Sequence, residues 1–164
     1  MKKLIPLIFF FGIITGLHAN TEPLEKKFYA KEYYPDGTLQ AEGWVMGDMK
    51  SGYWKMYHPN GKIASRGHFR NNKKNNYWHY YNVSGKLIKE GHYKDEFAED
   101  WWIFYDLENS KTLKIQYKMN RKHGYALRYN KRKLVLVERF DNNKKMGEWT
   151  SVVAFKLDNP GVTW

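Results

Sequence analysis

A pattern of aromatic residues and glycines recurs through most of the chain with a period of about 24 residues, within the range typical of repeat proteins. The segment Tyr53–Tyr57 is followed by Asn60–Gly61, and the segment Tyr77–Tyr81 is followed by Ser84–Gly85. One position holds tyrosine in five successive units: Tyr33, Tyr57, Tyr81, Tyr105 and Tyr129. In repeat proteins each unit packs only against its neighbours. The period therefore constrains the fold more than any other feature of the sequence.

Each unit predicts a β-hairpin. Tyr53–Tyr57 is rich in aromatic residues, which favour the pleated surface of a strand. Asn60–Gly61 is a dipeptide typical of a tight two-residue turn with positive φ at both positions, and Ile63–Arg70 is then the returning strand. The glycines at equivalent turn positions are Gly37, Gly61 and Gly85.

The predicted turn also sets which residues of the two strands lie opposite each other. With Asn60–Gly61 at its centre, Trp54 lies opposite Gly67. A glycine within a strand is costly unless a large side chain covers it, so we expect the cross-strand indole to cover this one. Alternation puts Trp54 on one face and Tyr57 on the other, so both faces carry aromatic residues. The sequence thus predicts an all-β fold: an elongated single-layer antiparallel meander of tandem β-hairpin repeats of about 24 residues.

The period and the composition divide the chain into four segments. We interpret them as a signal peptide (1–19), a short exposed lead-in (20–28), five β-hairpin repeats (29–147) and a degenerate C-terminal capping strand (148–164). The last segment is expected to be a strand because Val152–Phe155 is a short apolar run that ends before Pro160–Gly161. An atypical terminal unit is expected in a repeat protein, since it closes the stack.

The segment 1–19 has the features of an export signal. Lys2 and Lys3 precede a mostly apolar run from Leu4 to Leu17, and Ala19 is a small residue suited to cleavage. The run is short for a membrane span, although an uncleaved N-terminal anchor is the alternative. No second apolar stretch of spanning length follows. We therefore expect an exported bacterial protein, periplasmic or extracellular, without a transmembrane span after cleavage.

The composition excludes several classes of protein. The chain contains no cysteine, which excludes disulfides, thiolate metal sites, a cysteine nucleophile and a lipid anchor on cysteine. It has 28 Lys and Arg against 17 Asp and Glu, a formal charge of +11, and loss of Lys2 and Lys3 on cleavage would lower this to +9. An aromatic content of 18% is far too high for a disordered polyelectrolyte.

The repeat pattern resembles that of a known family. Asn76 to Tyr93 has the form Gly/Asn-Tyr-Trp-x-x-Tyr-x-x-x-Gly-Lys-Leu-x-x-x-Gly-x-Tyr, and related copies extend from Tyr29 to Trp149. This form is similar to the MORN-type repeat, in the bacterial variant found in YwqK-family antitoxins. The resemblance implies that residues 29–147 are five MORN-type repeats, which form non-catalytic arrays used in protein–protein contact and, in some cases, proposed to bind membrane lipid.

Two kinds of residue are candidates for binding a partner. The aromatic candidates would form a ladder with steps of about 10 Å, two strand spacings, along which a polymer such as a glycan could stack. The same rings could instead only shield glycines and backbone. The basic candidates could contact an anionic glycan or lipid, or could serve solubility alone. The candidates are Trp54, Trp78, Trp102, Tyr57, Tyr81, Tyr105, Lys73, Lys74, Arg121 and Lys122.

No catalytic residue, metal site or cofactor is predicted. His68 and His92 share a repeat position but would lie about 10 Å apart, whereas zinc ligands lie about 2 Å from the metal. Three further histidines have no acidic or histidine partner at ligand spacing: His58, His79 and His123. The acidic cluster Asp95, Glu96, Glu99 and Asp100 is interpreted as a solvated charged turn, with docking of a basic partner as the alternative.

These features support a scaffold more than an enzyme, because the repeats occupy most of the chain. The first hypothesis is an exported non-catalytic scaffold that contacts an unknown protein or the cell envelope. The alternatives are a carbohydrate- or anionic-lipid-binding module that uses the aromatic ladder, and an antitoxin-like protein that neutralises a partner. Nucleic-acid binding is not expected, because the basic residues are spread over turns at both sides and acidic residues lie between them.

Overall fold

A computed structural model describes residues 26–163 of the chain. Within these residues, eleven strands pair in chain order, each antiparallel to the next, to form one open sheet. The strands are β1 (Lys27–Tyr33), β2 (Leu39–Met46), β3 (Met49–Tyr57), β4 (Ile63–Arg70), β5 (Lys73–Tyr81), β6 (Leu87–Lys94), β7 (Phe97–Asp106), β8 (Lys111–Lys118), β9 (Arg121–Asn130), β10 (Lys133–Asp141) and β11 (Lys144–Trp149). The predicted all-β meander of hairpins is confirmed.

The described residues begin at residue 26, within the predicted lead-in. The sequence interpreted as a signal peptide, residues 1–19, lies outside them. Because β1 begins at Lys27, the last two residues of the predicted lead-in belong to the sheet. Within residues 26–163, no helix has the length and apolar character needed to cross a membrane.

The hairpin loops differ from the predicted two-residue turn. In the loop between β3 and β4, the N–H of Gly61 donates to the carbonyl of His58 (2.9 Å) and the N–H of His58 donates to the carbonyl of Lys62 (2.8 Å). Of the predicted turn pair, Gly61 alone has positive φ, at 77°. The prediction of positive φ at both Asn60 and Gly61 is therefore wrong. Pro59 sets a negative φ early in the loop, and a longer turn that ends on a left-handed glycine is the next common solution.

Two-residue turns with positive φ at both positions lie between the repeats instead. Asn71 and Asn72, between β4 and β5, have φ of 50° and 63°. Asn72 also joins its turn to the preceding hairpin, since its Oδ1 accepts from the N–H of Lys50 (2.6 Å) and its N–H donates to the Lys50 carbonyl (3.0 Å). Asn120 makes the same two bonds to Ala98, at 2.6 and 3.1 Å.

The tryptophans pack in a way that the predicted register only partly anticipates. The pairing of Trp54 with Gly67 is confirmed. The indole that covers Gly67, however, belongs to Trp78 of the next repeat, since a Cβ on Gly67 would lie 2.3 Å from that ring. Trp54 covers Gly43 in the same way, also at 2.3 Å. The expected cover within one hairpin is therefore wrong, and each indole joins its repeat to the preceding one.

Each of these indoles also makes a hydrogen bond to the preceding repeat. Trp54 Nε1 donates to the Trp44 carbonyl at 2.8 Å, and Trp78 Nε1 donates to the His68 carbonyl at 3.1 Å. Trp102 bonds the His92 carbonyl in the same way, at 3.0 Å. A bulge next to each tryptophan makes this possible, because a left-handed residue shifts the strand register there. The left-handed residues are Gly52 (72°), Asn76 (60°) and Asp100 (57°), and Gly124 (94°) holds the same position before Ala126.

The C-terminal segment contains a helix. The prediction of a strand over Val152–Phe155 is wrong, because α1 (Val152–Asp158) occupies these residues. Ser151 caps the helix, and its side chain accepts from the N–H of Ala154 at 3.4 Å. Phe155 is fully buried, with its ring centroid 5.2 Å from that of Trp149 and 5.5 Å from that of Tyr125. The helix thus buries Phe155 against the aromatic rings at the end of the sheet.

Candidate interaction surface

The sheet has two faces of different character. The tryptophan face carries Trp54, Trp78 and Trp102, and the tyrosine face carries Tyr29, Trp44, Tyr53 and Tyr77. Side chains alternate between them along each strand. Since α1 packs on the tyrosine face at the C-terminal end of the sheet, over Tyr125 and Trp149, the remainder of that face lies outside its cover.

The aromatic ladder predicted from the sequence is buried. Trp54 and Trp78 have no exposed area and Trp102 is 3% exposed. Phe69 packs between the first two, with ring centroids 6.1 Å from Trp54 and 5.1 Å from Trp78. A glycan cannot stack on rings that have no accessible surface. In this structure the ladder therefore holds consecutive repeats together.

Lysines cover the tryptophan face further. Lys50 Nζ lies 4.2 Å from the centroid of Trp54, and Lys74 Nζ lies 5.2 Å from that of Tyr93. Lys122 Nζ lies 5.2 Å from the Phe140 centroid. These are cation–π distances. Of the four predicted basic residues, Lys74 and Lys122 are thus held by contacts within the sheet, whereas Lys73 and Arg121 are exposed.

The glycine–tryptophan pair is replaced between the fourth and fifth repeats. Ile115 and Ala126 stand one repeat period after Gly91 and Trp102, and the two pairs occupy equivalent positions in the sheet. Ile115 is 2% exposed and Ala126 is fully buried. The large side chain of the pair therefore lies on the first of the two paired strands instead of the second, and the space between the two residues stays filled.

The tyrosine face exposes aromatic rings in the N-terminal half of the sheet. Tyr29 is 46% exposed, Trp44 40% and Tyr53 38%. Each tyrosine of this row packs edge-on against the ring opposite it: Tyr29 on Trp44 at 5.3 Å, Tyr53 on His68 at 5.2 Å and Tyr77 on His92 at 4.7 Å. The rings are therefore held in place while they remain accessible.

The three tyrosines predicted as candidates are half-buried, and two of them bond to carboxylates. Tyr57 Oη donates to Glu42 Oε1 at 2.6 Å, and Tyr105 Oη donates to Glu90 Oε1 at 2.5 Å. Burial, followed by the bond to the carboxylate, raises the pKa of both phenols. Tyr81 instead lies under Arg66, whose Cζ is 5.5 Å from the ring centroid. These rings are rigid parts of the face.

A row of alternating charges crosses the tyrosine face and was not anticipated from the sequence. Its members stand one repeat period apart: Glu42, Arg66, Glu90 and Lys114. Because successive members carry opposite signs, their interaction is more favourable than that of a row of like charges. The signal was present in the sequence, because the four residues share one repeat position.

Two histidines gain acidic partners that the sequence did not reveal. His79 Nε2 lies 3.4 Å from Glu90 Oε2, and His123 Nδ1 lies 3.2 Å from Asp141 Oδ1. Both partners come from the neighbouring strand. Burial lowers the pKa of His79 and Glu90 opposes that shift. Over residues 26–163, no three His, Asp or Glu side chains gather closely enough to bind a metal ion.

The acidic turn between β6 and β7 contacts the preceding repeat. Asp95 and Glu96 form its two left-handed positions, with φ of 49° and 75°. Asp95 accepts from Arg70 Nη2 at 2.7 Å, and Glu96 accepts from Lys74 Nζ at 2.7 Å and from its N–H at 2.6 Å. The charges of this turn are therefore balanced within the sheet.

Comparison with known proteins agrees with the repeat architecture. Residues 25–43 and 50–71 match the family model for the MORN repeat variant. The second segment spans the strand pair that contains Trp54 and the first part of its connection to β5. No curated protein matches the chain. These two segments are thus similar to repeats of the MORN variant, a repeat type that generally serves as a scaffold for protein interaction.

Proposed function

We propose that this protein is an exported, non-catalytic scaffold that binds a partner protein or a component of the cell envelope through its tyrosine face. One observation carries the proposal: Trp54, Trp78 and Trp102 are buried in the sheet, whereas Tyr29, Trp44 and Tyr53 on the other face are 38–46% exposed. A group of neighbouring accessible rings therefore lies on the tyrosine face.

The chemistry of this face suits a protein interface. Tyrosine, tryptophan and arginine are the residues most enriched among those that dominate binding energy. The rings are fixed by edge-on contacts, such as that of Tyr53 with His68, so little conformational entropy is lost on binding. The alternating row that begins with Glu42 and Arg66 supplies charges of both signs, which can set the register of a partner.

Export is supported by the sequence of residues 1–19. A basic start, an apolar run and a small residue at Ala19 are the features that secretion machinery reads. N-terminal sequencing of the purified mature protein should begin at Asn20, and cell fractionation should place it outside the cytoplasm. A full-length chain in the cytosol would contradict export and would favour the antitoxin-like alternative.

A carbohydrate- or lipid-binding module is the second candidate, and burial of Trp54 and Trp78 removes the ladder on which it depended. Such a module would have to use the tyrosine face instead. Binding of the mature protein to purified peptidoglycan, to anionic liposomes and to envelope proteins separates these classes.

The decisive variant replaces Tyr29, Trp44 and Tyr53 with serine. We expect binding to fall more than tenfold while the melting temperature and the circular dichroism spectrum remain close to those of the wild type. The matched control replaces three exposed apolar residues elsewhere, Val83 (62%), Val153 (69%) and Leu157 (77%). Unchanged binding by the first variant, or equal loss in the control, would contradict the proposed surface.

A further inference from the structure

The two ends of the sheet are finished differently. At the C-terminal end, β11 carries the adjacent lysines Lys144 and Lys145, and α1 covers the neighbouring tyrosine face. At the N-terminal end, β1 has a strand partner on one side only within residues 26–163. A free strand edge presents unpaired N–H and C=O groups and is a template for pairing with another chain.

The residues around this edge are unusually apolar for an exposed strand. Phe28 is 46% exposed, Tyr33 57% and Met46 39%, in addition to Tyr29 and Trp44. β1 is seven residues long, against six for β11. The N-terminal edge therefore combines open backbone groups with exposed aromatic side chains.

The sequence of β1 is complementary to itself when two copies run antiparallel. Residues 27, 29, 31 and 33 are Lys, Tyr, Lys and Tyr, and they alternate with the residues that face the tryptophan side. If Ala30 of one copy lies opposite Ala30 of the other, each of these lysines lies opposite a tyrosine: Lys27 opposite Tyr33, and Lys31 opposite Tyr29. Lysine and tyrosine pair favourably as cation and π-system. On the other face Phe28 lies opposite Glu32.

Of the other registers that keep the two faces continuous, the one centred on Phe28 pairs only residues 27–29 of each copy, and the others place like charges together. Centring the pair on Lys31 or on Glu32 puts that residue opposite its own copy, and centring it on Tyr29 puts Lys27 opposite Lys31. Like charges directly opposite are destabilising. Lysines on an edge strand usually oppose pairing, but in the Ala30 register every lysine meets a ring.

We propose that β1 is a self-association edge, at which two copies of this protein pair antiparallel about Ala30 and join their sheets into one. The occupant is a second copy, because the charge and aromatic pattern of β1 matches its own reverse. One short strand buries less than the roughly 1,200 Å² of a standard interface, so the dimer is weak and depends on concentration. It does not require the partner proposed for the tyrosine face, although Tyr29 belongs to both surfaces.

Disulfide trapping tests the register directly. Opposed Cα atoms in an antiparallel pair lie about 4.5–5.5 Å apart, which suits a disulfide. The chain has no cysteine, so any disulfide must form between introduced residues. Ala30→Cys in the mature protein should give a covalent dimer under mild oxidation. In Lys31→Cys, the matched control, the two Cα atoms would be about 8 Å apart, too far to bridge. Equal or faster crosslinking of Lys31→Cys, or none in Ala30→Cys, would overturn the register.

A second pair of variants tests the complementarity without cysteine. Tyr29→Lys places a lysine opposite Lys31, and we expect the dimer dissociation constant measured by sedimentation to rise at least tenfold. Adding Lys31→Tyr exchanges the two residues and should restore the wild-type value. A wild-type protein that stays monomeric at the highest soluble concentration would overturn the proposal. A monomer is the result expected if the preceding chain segment occupies the edge. Failure of the double variant to rescue would do the same.

Discussion

The contact between a glycine and the indole of the next repeat is the central interaction at the scale of single residues. A Cβ added to Gly91 would lie 2.3 Å from the ring of Trp102, a separation that real side chains do not adopt. The glycine is therefore required by the space that the indole occupies. The contact between the fourth and fifth repeats shows the other solution, with Ile115 and Ala126 in the same positions.

This exchange predicts a rescue between two damaging substitutions. Trp102→Ala should lower the free energy of unfolding by about 3–5 kcal/mol through loss of buried area and the cavity left behind. Gly91→Ile should cost about 1–3 kcal/mol or more by overpacking. The double variant recreates the isoleucine–alanine pair and should recover about 2 kcal/mol relative to the sum of the single effects, measured by urea unfolding. Simple additivity would show that the two positions do not share one space.

The buried carboxylate of Glu138 makes stability depend on pH. Its side chain is 6% exposed and accepts from Arg128 Nε at 2.8 Å and Lys145 Nζ at 3.3 Å. Burial acts to raise its pKa, but the bonds to Arg128 and Lys145 outweigh burial and hold it below the ordinary value of 4.5. A carboxylate with a lowered pKa stabilises the fold above its ordinary pKa, and that stabilisation is lost as pH falls through the folded-state pKa.

Glu138→Gln should therefore cost about 1–2 kcal/mol at neutral pH, within the usual range for charged hydrogen bonds. The cost should shrink as the pH falls from 4.5 through the lower folded-state pKa, because the carboxyl of the unfolded chain takes up its proton first and that of the folded protein only afterwards. Glu148→Gln is the control, since that side chain is 46% exposed and should cost less than about 0.5 kcal/mol. A difference between wild type and Glu138→Gln that stays constant with pH would contradict this account.

At the scale of elements, the turns between repeats carry much of the cohesion. The tight turn Asn71–Asn72 is closed by left-handed residues, and asparagine tolerates that conformation. The second residue of the turn then bonds the backbone of the preceding hairpin at Lys50. The turn therefore both reverses the chain and attaches one repeat to the next.

Two neighbouring asparagines separate these roles. Asn71→Ala and Asn72→Ala both place alanine at a positive φ and share the cost of that strain, about 1 kcal/mol. Asn72→Ala also removes the 2.6 Å bond to the Lys50 N–H and should cost about 1 kcal/mol more. Urea unfolding of the two variants measures the difference. Equal costs would mean that this bond contributes nothing to stability.

At the scale of the whole molecule, stability is expected to be local. Within residues 26–163 each strand pairs only with its neighbours in the chain, so no strand pairing links the two ends of the sheet. In such a structure the free energy is close to a sum over repeats and the interfaces between them. The C-terminal end is closed by α1, whose Phe155 packs with Leu127 and Val137 as well as Trp149.

Phe155→Ala should therefore damage one end of the sheet alone. Loss of a buried phenylalanine costs about 3–5 kcal/mol in a globular core. Here we expect faster amide hydrogen exchange in β9 to β11 and α1, with β1 to β5 unchanged. Leu157→Ala, at a residue that is 77% exposed, is the control and should change nothing. Uniform loss of protection along the chain would show that the repeats unfold as one unit.

Much of the architecture could be predicted from the sequence, because the same pattern of residues recurs in successive repeats. The period, the hairpin and the pairing of Trp54 with Gly67 all follow from residue types and spacing. The left-handed bulge residues were also readable, since Gly52, Asn76 and Asp100 share one repeat position and one conformational preference. The candidate surface was harder to predict from the sequence, because the exposure of an aromatic residue does not follow from its position in the repeat.

The sequence by itself determined the period, the strands and their order, since these depend on local residue preferences repeated at a constant spacing. Only the tertiary structure decided that each indole covers the glycine of the preceding repeat, because both neighbours of a strand offer a glycine at the same repeat position. It also decided that Val152–Phe155 is helical. An apolar run of that length suits either a strand or a helix, and the choice came from the aromatic pocket that receives Phe155.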